Sequence, residues 1–349
     1  MGYYNPSKIL NMKDLEGKKP SIYIITSNRS SGKTTAFLLK SLREFKKNGS
    51  QIVLLYRYSY ELKGCSTIFK DVLELYKEEE LGEEMTSVPH AKGLFYELLL
   101  DKESFGYAVS LSNPDALKKY SPIFSKVNYI IMDEFQSETG KYLSKEIKKF
   151  ESIYVTIARG GGKQSRDVNV ILLGNLVSIM NPYFIQFGIH KRLKADTKFM
   201  RGNGWVAEFG FNESASNSIK ENGFFRAFAD DDYMKYSTEK KYLIDANTFI
   251  SKVGGRQRYI CTIVFDGEKY GVRECYDEGC IFISKKYDKS CLTIIAFKPS
   301  DHTQNTVMLN HYSNIWKMIK DAFNNGYLRF DDIKTKSAIY DILAIDMYK

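Results

Sequence analysis

Uninterrupted apolar runs and segments of helical period alternate along the first part of the chain. Runs rich in β-branched and aromatic residues, typical of strands buried in a parallel sheet, occupy residues 21–26 (SIYIIT), 51–58 (QIVLLYRY), 127–135 (VNYIIMDEF) and 168–175 (VNVILLGN). After the first run, Leu38, Leu42 and Phe45 share one helical face, and Asn48-Gly49 suits a left-handed helix end. The pattern predicts an α/β fold built on a parallel sheet.

The C-terminal part of the chain shows a different pattern. Apolar segments separated by tight turns, at residues 258–265, 269–275 and 280–287, predict a meander, and a further strand is predicted at 291–297. A helix should follow, because several apolar residues keep one face before Gly326, namely Leu309, Tyr312, Trp316, Ile319 and Phe323. This order predicts a separate, smaller α+β domain.

A polar segment of mixed charge, residues 212–247, separates the two patterns. It is interpreted as either a helical linker or a lid of the first domain. The sequence therefore predicts one domain at residues 1–211 and another at 248–349, with the linker or lid region at 212–247 between them.

The loop after the first predicted strand carries candidate phosphate-binding chemistry. Residues 27–34 read SNRSSGKT, which matches the phosphate-loop pattern G-x-x-x-x-G-K-[ST] except that Ser27 replaces the first glycine. A strand before the loop and a helix after it provide the backbone N–H groups and the helix N-terminus that bind phosphate. Lys33 supplies a mobile cation, and the Thr34 hydroxyl is a candidate Mg²⁺ ligand. The predicted nucleotide-binding residues are Ser27, Asn28, Arg29, Ser30, Ser31, Gly32, Lys33, Thr34 and Thr35.

A second, independent signal is the acidic pair near the end of the run at residues 127–135. Asp133 ends a buried strand and is suited to hold Mg²⁺ opposite Thr34, the arrangement known as Walker B. Glu134, one residue further, is placed to orient a water molecule and accept its proton during attack on a γ-phosphate. The pair indicates hydrolysis of a nucleoside triphosphate, with a surface acidic pair as the alternative.

Asn175 and Arg159 are the remaining candidate catalytic residues. Asn175 ends the run at 168–175 and can contact the γ-phosphate or the attacking water, with capping or turn formation as the alternative. Arg159 stands before three glycines in IARGGGKQSR. This stretch is interpreted either as a mobile, solvated loop or as one that presents an arginine finger to a neighbouring subunit, with Arg57 and Arg166 as the next candidates.

Composition adds a net positive charge, and the lack of long apolar runs argues against a membrane role. The 349 residues are 43% hydrophobic and carry 51 Lys+Arg against 42 Asp+Glu, a net charge of +9 that favours a polyanionic partner. No apolar run reaches the roughly 20 residues that a bilayer-crossing helix needs, and the N-terminus lacks the layout of a signal peptide. We expect a cytoplasmic protein with no membrane partner.

Two clusters of basic residues are candidate DNA contacts, with a solvated face as the commoner alternative for such runs. Lys141 and Lys145 are the main candidates. The first cluster comprises Lys141, Lys145, Lys148 and Lys149, and the second Lys191, Arg192, Lys194, Lys198 and Arg201.

The cysteines do not form the close C-x-x-C pairs of a zinc site. Four of the five, Cys261, Cys275, Cys280 and Cys291, stand singly among strand-like residues. We therefore predict buried free thiols rather than a cysteine metal site.

Six stretches spread along the chain carry a resemblance to a known family: YYNPSKIL (3–10), GKTT (32–35), YRYSYEL (56–62), IIMDEF (130–135), GNLVSIMNPYF (174–184) and NNGYLRFDD (324–332). On these stretches the chain resembles, nearly from end to end, the DNA packaging ATPases of small phi29-like podoviruses. NPYF and NGYLRFD are the distinctive stretches, because neither follows from having a phosphate loop. Ser27 and the glycine-rich loop after Arg159 depart from the pattern of the family.

The resemblance implies a P-loop NTPase domain of the ASCE, RecA-like type in a ring-forming motor that pumps double-stranded viral DNA into a preformed capsid. It implies ATP and Mg²⁺ as cofactors, with hydrolysis at subunit interfaces. By resemblance, Lys33 and Thr34 bind the nucleotide and Asp133 binds the metal. Glu134 corresponds to the catalytic glutamate and Arg159 to the trans-acting arginine. The implied partners are DNA, further copies of the chain in a ring, pentameric by resemblance, and the capsid portal or connector, with a packaging RNA or a protein as the docking element, in the cytoplasm of the infected bacterium.

The resemblance also implies an RNase H-like second domain that has lost its nuclease function. The predicted meander, the further strand and the helix suit that fold, whereas Asp266, Asp277 and Glu278 lie in turns and the first strand of the meander carries no carboxylate. Two-metal nuclease chemistry needs several carboxylates gathered on one strand face and its neighbours. We expect no nuclease activity.

Two other classes of protein remain open. A P-loop small-molecule kinase would transfer the γ-phosphate to a bound acceptor and would have less use for Glu134 beside Asp133. A nucleotide-gated DNA-binding protein would bind without turnover. ATP turnover that needs no acceptor and is stimulated by DNA distinguishes a packaging ATPase from both.

Overall fold

The chain folds into two units, seen in a computed structural model that describes residues 4–159, 165–179, 181–193, 197–227, 249–309 and 313–347. Unit 1 comprises Met1–Phe187 and Leu193–Ile244, and unit 2 comprises Gly188–Arg192 and Asp245–Lys349. Unit 2 thus includes a short segment from within the predicted first domain. The domain bounds 1–211, 212–247 and 248–349 stay predictions, since much of segment 212–247 lies outside the described residues.

Unit 1 is built on a nine-stranded sheet. Its strands are β1 (Ile22–Ser27), β2 (Gln51–Tyr56), β3 (Met85–His90), β4 (Phe95–Leu100), β5 (Glu103–Ser110), β6 (Val127–Met132), β7 (Asn169–Asn175), β8 (Phe199–Gly202) and β9 (Trp205–Phe209). They lie in the order β3-β4-β5-β2-β6-β7-β1-β9-β8. The six central strands of this order, β5-β2-β6-β7-β1-β9, pair in parallel. The hairpin β3–β4 pairs antiparallel with β5 at one edge, and β8 pairs antiparallel with β9 at the other. The predicted α/β fold with a parallel sheet is confirmed.

Helices cover the sheet of unit 1, and the one that follows β1 has the predicted form. This helix, Lys33–Asn48, buries Phe37, Leu38, Leu42 and Phe45 in the main core and ends at Gly49, whose φ of 69° is left-handed as expected. The other α-helices of unit 1 are Ser7–Leu10, Lys70–Leu75, Pro114–Leu117, Glu146–Ala158, Pro182–Gln186, Glu213–Glu221 and Gly223–Ala227. Among the described residues, no helix is both long and apolar enough to span a bilayer.

The order of the strands brings the predicted functional positions to one edge of the sheet. Strand β7 lies between β1 and β6. Ser27 at the end of β1 is in register with Asn175 at the end of β7, and Asp133 directly follows β6. Because parallel strands end at the same edge, these residues gather where ligands bind in open α/β sheets.

Unit 2 contains a six-stranded mixed sheet covered by helices. Its strands are β10 (Gln257–Phe265), β11 (Glu268–Cys275), β12 (Cys280–Ser284), β13 (Ile294–Ala296), β14 (Val307–Met308) and β15 (Leu328–Phe330). They lie in the order β14-β13-β10-β11-β12-β15. The meander β10–β11–β12 is antiparallel, whereas β13 pairs in parallel with β10. This arrangement agrees with the predicted RNase H-like order.

Among the described residues of unit 2, the α-helices are Ile189–Arg192, Ser313–Asn324 and Ile333–Met347. The predicted amphipathic helix begins at Ser313, so Leu309 precedes it, and Tyr312 lies outside the described residues. Trp316 and Ile319 pack into a core that also includes Phe330 of β15. The strands β14 and β15 and the C-terminal helix were not predicted.

Candidate functional site

The loop between β1 and the helix Lys33–Asn48 turns at two left-handed positions. Ser30 has a φ of 57° and Gly32 a φ of 82°, and glycine adopts this conformation without the strain that a Cβ introduces. Ser27 is the last residue of β1, so its serine side chain does not obstruct the turn. Ser30 is exposed, and Thr35 is half-buried in the first helical turn. A phosphate placed at this loop would meet backbone N–H groups and the positive end of a helix.

The Lys33 side chain is buried inside the loop, where only 6% of the residue is exposed. Its ammonium group faces oxygen atoms within hydrogen-bonding distance from two strands and the loop: Ser27 Oγ (2.9 Å), Asn28 O (3.2 Å), Ser31 Oγ (3.2 Å) and Asn175 Oδ1 (3.3 Å). A buried ammonium group needs such acceptors, because desolvation without hydrogen bonds is costly. The loop therefore holds a cation at the position where a phosphate would need one.

Thr34, in the first turn of the helix Lys33–Asn48, contacts Asp133, which directly follows β6. The Thr34 hydroxyl donates to Asp133 Oδ2 at 2.8 Å, and the backbone N–H of Glu134 donates to Asp133 Oδ1 at 3.0 Å. Desolvation raises the pKa of the Asp133 carboxyl, and the hydrogen bond from Thr34 opposes that rise. A hydroxyl and a carboxylate facing the same point are oxygen ligands of the kind that Mg²⁺ takes. The structure thus brings the predicted metal ligands together.

The charges of the site influence one another. Burial lowers the pKa of Lys33 to about 8, an effect that the carboxylates of Asp133 and Glu134 oppose and the Arg29 guanidinium reinforces. Partial desolvation, together with the carboxylates of Asp133 and Glu138, raises the pKa of Glu134. Glu134 is exposed, and its own φ of 53° is left-handed. A carboxylate with a raised pKa is a stronger proton acceptor, as a general base requires.

Asn28 and Arg29 of the phosphate loop direct their side chains to partners outside the loop. Asn28 is fully buried; its Nδ2 donates to Asn212 O at 3.0 Å, and its Oδ1 accepts from Asn212 N at 2.8 Å. Asn212 in turn caps the helix Glu213–Glu221. Arg29 forms an ion pair with Glu138. Asn28 is therefore available to a nucleotide only through its backbone.

Asn175 faces the phosphate loop. Its side-chain oxygen accepts from the Lys33 ammonium group at 3.3 Å, while its backbone oxygen accepts from Val177 N at 2.9 Å. The side chain is thus directed at the loop lysine, and only the backbone takes part in a turn. This position supports the interpretation that Asn175 contacts the γ-phosphate or the attacking water over the capping alternative.

Arg159 directly follows the helix Glu146–Ala158 and is exposed. Residues 160–164, most of the predicted glycine-rich loop, lie outside the described residues. Within the part of the chain that the structure describes, the Arg159 side chain has no hydrogen-bond or ion-pair partner.

A buried ion pair near Glu134 was missed by the sequence reasoning. Arg57 Nε lies 3.1 Å from both carboxylate oxygens of Glu146, and the two side chains are 8% and 0% exposed. Arg57 also donates to Glu134 O at 3.4 Å and to Phe135 O at 2.6 Å, and the Tyr183 hydroxyl donates to Glu146 at 3.0 Å. This network holds the backbone of the turn that carries Glu134. An arginine at the end of an apolar strand was the signal available in the sequence.

The structure corrects the two reserve candidates for the arginine finger. Arg57 is occupied by Glu146 inside the fold. Arg166 donates to the backbone oxygens of Val127, Phe124 and Ile157 at 2.8–2.9 Å. Because both guanidinium groups bind their own chain, neither is placed to reach a neighbouring subunit.

The first basic cluster lies at the surface. Lys141, Lys145 and Lys148 are exposed and Lys149 is half-buried, and Lys145 adopts a φ of 54° directly before the helix Glu146–Ala158. These lysines are accessible to a polyanion, while contact with DNA stays a prediction.

The second basic run is divided between the two units, and its contact with DNA stays a prediction. Lys191 and Arg192 belong to unit 2, whereas Lys198 and Arg201 belong to unit 1. Lys194 lies outside the described residues. Proximity in sequence therefore does not place these charges on a single surface of either unit.

The turn carboxylates of unit 2 are bound to neighbouring groups. Asp266 pairs with Lys298, Asp277 pairs with Arg256 at 2.9 Å, and Glu278 accepts from a backbone N–H. Across the described ranges, no group of three or more His, Cys, Asp or Glu is arranged to hold a metal ion. The loss of nuclease activity stays a prediction.

The five cysteines are free thiols. Cys261, Cys275 and Cys280 are buried as predicted, whereas Cys291 is half-exposed, which corrects that prediction because its strand begins only at Ile294. Cys275 and Cys280 face each other across β11 and β12, and burial raises the pKa of Cys275 to about 12. Thiols with raised pKa are poor nucleophiles and metal ligands.

The chain matches the family model of the podovirus DNA encapsidation protein (Gp16) over residues 1–347. It is 26% identical to the DNA packaging proteins of Bacillus phage PZA and Bacillus phage phi29, over 345 residues that cover 97% of this chain and 96% of each relative. The resemblance inferred from the sequence motifs is confirmed.

Two solved structures have a similar fold over nearly the whole chain. A chain of the bacteriophage Phi-29 viral genome packaging motor assembly has a TM-score of 0.60 at 24% identity, with 98% of both chains covered. A chain of the Phi-28 gp11 DNA packaging motor has a TM-score of 0.62 at 16% identity, with 98% of this chain and 97% of that one covered. The similarity of fold extends over both units.

Proposed function

Because the chain belongs to the podovirus DNA encapsidation protein family, we propose that it is an ATP hydrolase that moves double-stranded viral DNA into a preformed capsid. The observation that carries the proposal is the contact at 2.8 Å between Thr34 and Asp133, with the Lys33 ammonium group held in the adjacent loop. Glu134 stands next to this pair, which is where a hydrolase needs a base.

The chain's residues divide the work of binding the nucleotide. Backbone N–H groups of the phosphate loop and the N-terminus of the helix Lys33–Asn48 bind the β-phosphate, and Lys33 offsets the charge of the β- and γ-phosphates. Thr34 and Asp133 would hold Mg²⁺, which would supply positive charge beside the phosphates during transfer. The donor set, a hydroxyl and a carboxylate, suits this hard cation.

Glu134 accepts a proton from the attacking water and fixes its direction. The raised pKa of its carboxyl supports this role. Asn175 is placed to contact the γ-phosphate or the water, since it already lies 3.3 Å from the Lys33 ammonium group. Arg57 stabilises the turn through the backbone oxygens of Glu134 and Phe135.

The proposal extends to an assembly. Two solved structures of similar fold are chains of packaging motors, and head-to-tail contacts between identical subunits close into a ring when the rotation permits. We place Arg159 of one subunit at the nucleotide site of the next, Lys141 and Lys145 against DNA phosphates, and a pentameric ring on the capsid portal or connector. A packaging RNA or a protein docks it there, in the cytoplasm of the infected bacterium.

The kinase alternative is less well supported, because a kinase positions an acceptor hydroxyl rather than a water and Glu134 serves water. A nucleotide-gated binder would need neither Glu134 nor Arg159. A single assay distinguishes a hydrolase from both of these alternatives.

The test is phosphate release by the full-length chain with Mg-ATP, measured without DNA, with double-stranded DNA and with nucleosides as acceptors. We expect release without any acceptor, an increase with DNA, and loss of release in Lys33→Ala but not in Lys46→Ala, which removes an exposed lysine from the same helix. Phosphate transfer to a nucleoside would favour the kinase. Binding without release in the presence of DNA would favour the nucleotide-gated protein.

A further inference from the structure

Two serine hydroxyls form a pair inside the phosphate loop. Ser27 Oγ and Ser31 Oγ lie 2.7 Å apart and share a hydrogen bond, and Ser27 Oγ also lies 3.1 Å from Asn28 O. Both serines are 4% exposed. Ser27 stands at the first glycine position of the loop motif, so one of these hydroxyls occupies a place where the motif carries no side chain.

The hydroxyl pair directly contacts the Lys33 ammonium group. Lys33 Nζ donates to Ser27 Oγ at 2.9 Å and to Ser31 Oγ at 3.2 Å. The other acceptors are Asn28 O at 3.2 Å and Asn175 Oδ1 at 3.3 Å. Ser27 gives the shortest of these contacts, and an ammonium group has three N–H donors to share among them.

The contacts fix the direction of a flexible side chain. A lysine has a flexible four-carbon stem that loses rotamer freedom when it is held in one conformation. Hydrogen bonds to a charged group are stronger than neutral ones, so the two hydroxyls and the backbone oxygen hold the ammonium group at the loop in the free protein. The contact with Asn175 shows that it is held toward the end of β7.

We propose that Ser27 and Ser31 are positioning residues that hold the Lys33 ammonium group in place before the nucleotide binds. The inference rests on the proposed nucleotide site and adds the means by which its lysine is oriented. Around Lys33 stand Arg29 of the same loop and the carboxylates of Asp133 and Glu134 after β6. None of these gives a hydrogen bond to Nζ in the described part of the chain, so the orientation comes from the neutral acceptors.

The role predicts a selective loss of affinity. Without the Ser27 hydroxyl, Lys33 loses its shortest contact and must be ordered when the triphosphate binds. Affinity for a non-hydrolysable ATP analogue with Mg²⁺ should fall about tenfold in Ser27→Ala. Affinity for ADP should fall less, because Lys33 pairs with both the β- and γ-phosphates.

The decisive experiment is a double-mutant cycle between Ser27 and Lys33 in the full-length chain, measured by equilibrium binding of a fluorescent non-hydrolysable ATP analogue with Mg²⁺. If Ser27 acts through the ammonium group, Ser27→Ala should change affinity less than about twofold when Lys33 is already Met. A second double-mutant cycle, between Ser31 and Lys33, tests the other hydroxyl. It replaces the first cycle if Ser27→Ala fails to fold. The matched control is Ser41→Ala, on the helix that Lys33 begins. It removes a buried hydroxyl that donates to Phe37 O and does not contact Lys33.

The outcomes separate the inference from the function on which it rests. Equal effects of Ser27→Ala and Ser31→Ala in the wild-type and Lys33→Met backgrounds would overturn the positioning role while leaving the nucleotide site intact. A wild-type chain that binds no analogue would overturn the nucleotide site itself. Coupling to Lys33 for both serines, with none for Ser41→Ala, is the result expected.

Discussion

Arg57 and Glu146 form an ion pair in which neither side chain is more than 8% exposed. Glu146 is the first residue of the helix Glu146–Ala158, at whose other end Arg159 follows. Arg57 donates to the backbone oxygen of Glu134. One helix therefore connects the support of the proposed base with the arginine proposed to act on the neighbouring site.

The Glu146→Gln variant should lose roughly 3 kcal/mol of unfolding free energy, because the change leaves the buried Arg57 guanidinium without a counter-charge. Glu151→Gln on the same helix is the control, since Glu151 is exposed and such changes usually stay within about 0.5 kcal/mol. Urea unfolding followed by circular dichroism measures both. Equal midpoints for the two variants would mean that the ion pair does not stabilise unit 1.

Neutralising Lys141 and Lys145 together should make DNA binding less dependent on salt. Each phosphate contact adds about 0.9 to the log–log slope, so loss of both contacts should reduce the slope by about 1.8. The affinity should also be nearly the same for DNA of different sequence, because phosphate contacts do not read bases.

The measurement is fluorescence anisotropy with labelled duplexes over a range of salt concentrations. The control neutralises Lys46 and Lys47, two exposed lysines at the end of the helix Lys33–Asn48, and so removes the same charge elsewhere. A slope reduced equally by both double variants would indicate a general effect of charge and count against a local DNA surface at Lys141 and Lys145.

Removal of the Arg159 guanidinium should reduce turnover far more than nucleotide binding. An arginine finger stabilises charge that develops on the γ-phosphoryl group and is worth about 10³ to 10⁵ in rate. If it acts across an interface, mixing Arg159→Ala subunits with Glu134→Gln subunits should restore part of the ATPase activity, because some interfaces then pair an intact arginine with an intact glutamate.

The matched control for this mixture combines Arg159→Ala subunits with subunits that carry both substitutions. No interface of that mixture pairs the two intact residues, so it should stay inactive. If verified co-assembly restores nothing in the first mixture, Arg159 acts within its own subunit or stabilises the fold.

The parts of the site that the sequence predicted are those with a local signal. Lys33, Thr34 and Asp133 each follow a buried strand or begin a helix, and the change of period from strand to helix places them on the sheet edge. The edge position of Asn175 follows similarly from its place at the end of an apolar run.

The contacts that were missed join distant parts of the chain. Asn28 bonds Asn212, 184 positions away, and Arg57 bonds Glu146, 89 positions away. The hydrophobic pattern of the sequence does not indicate which polar side chains contact each other, because such pairs form only when sheet order and helix packing bring them together. The assignment of Gly188–Arg192 to unit 2 was missed for the same reason, since His190 pairs with Asp341 at 2.8 Å.

The most direct measurement is single-turnover hydrolysis of Mg-ATP by Glu134→Gln, together with its equilibrium affinity for the nucleotide. The substitution removes the proton acceptor but leaves Thr34 and Asp133 on the metal, so affinity should stay within about twofold while the rate falls roughly 10²- to 10⁴-fold. Glu151→Gln should match the wild type in both. A Glu134→Gln variant that binds Mg-ATP and hydrolyses it at the wild-type single-turnover rate would contradict the proposed hydrolytic site.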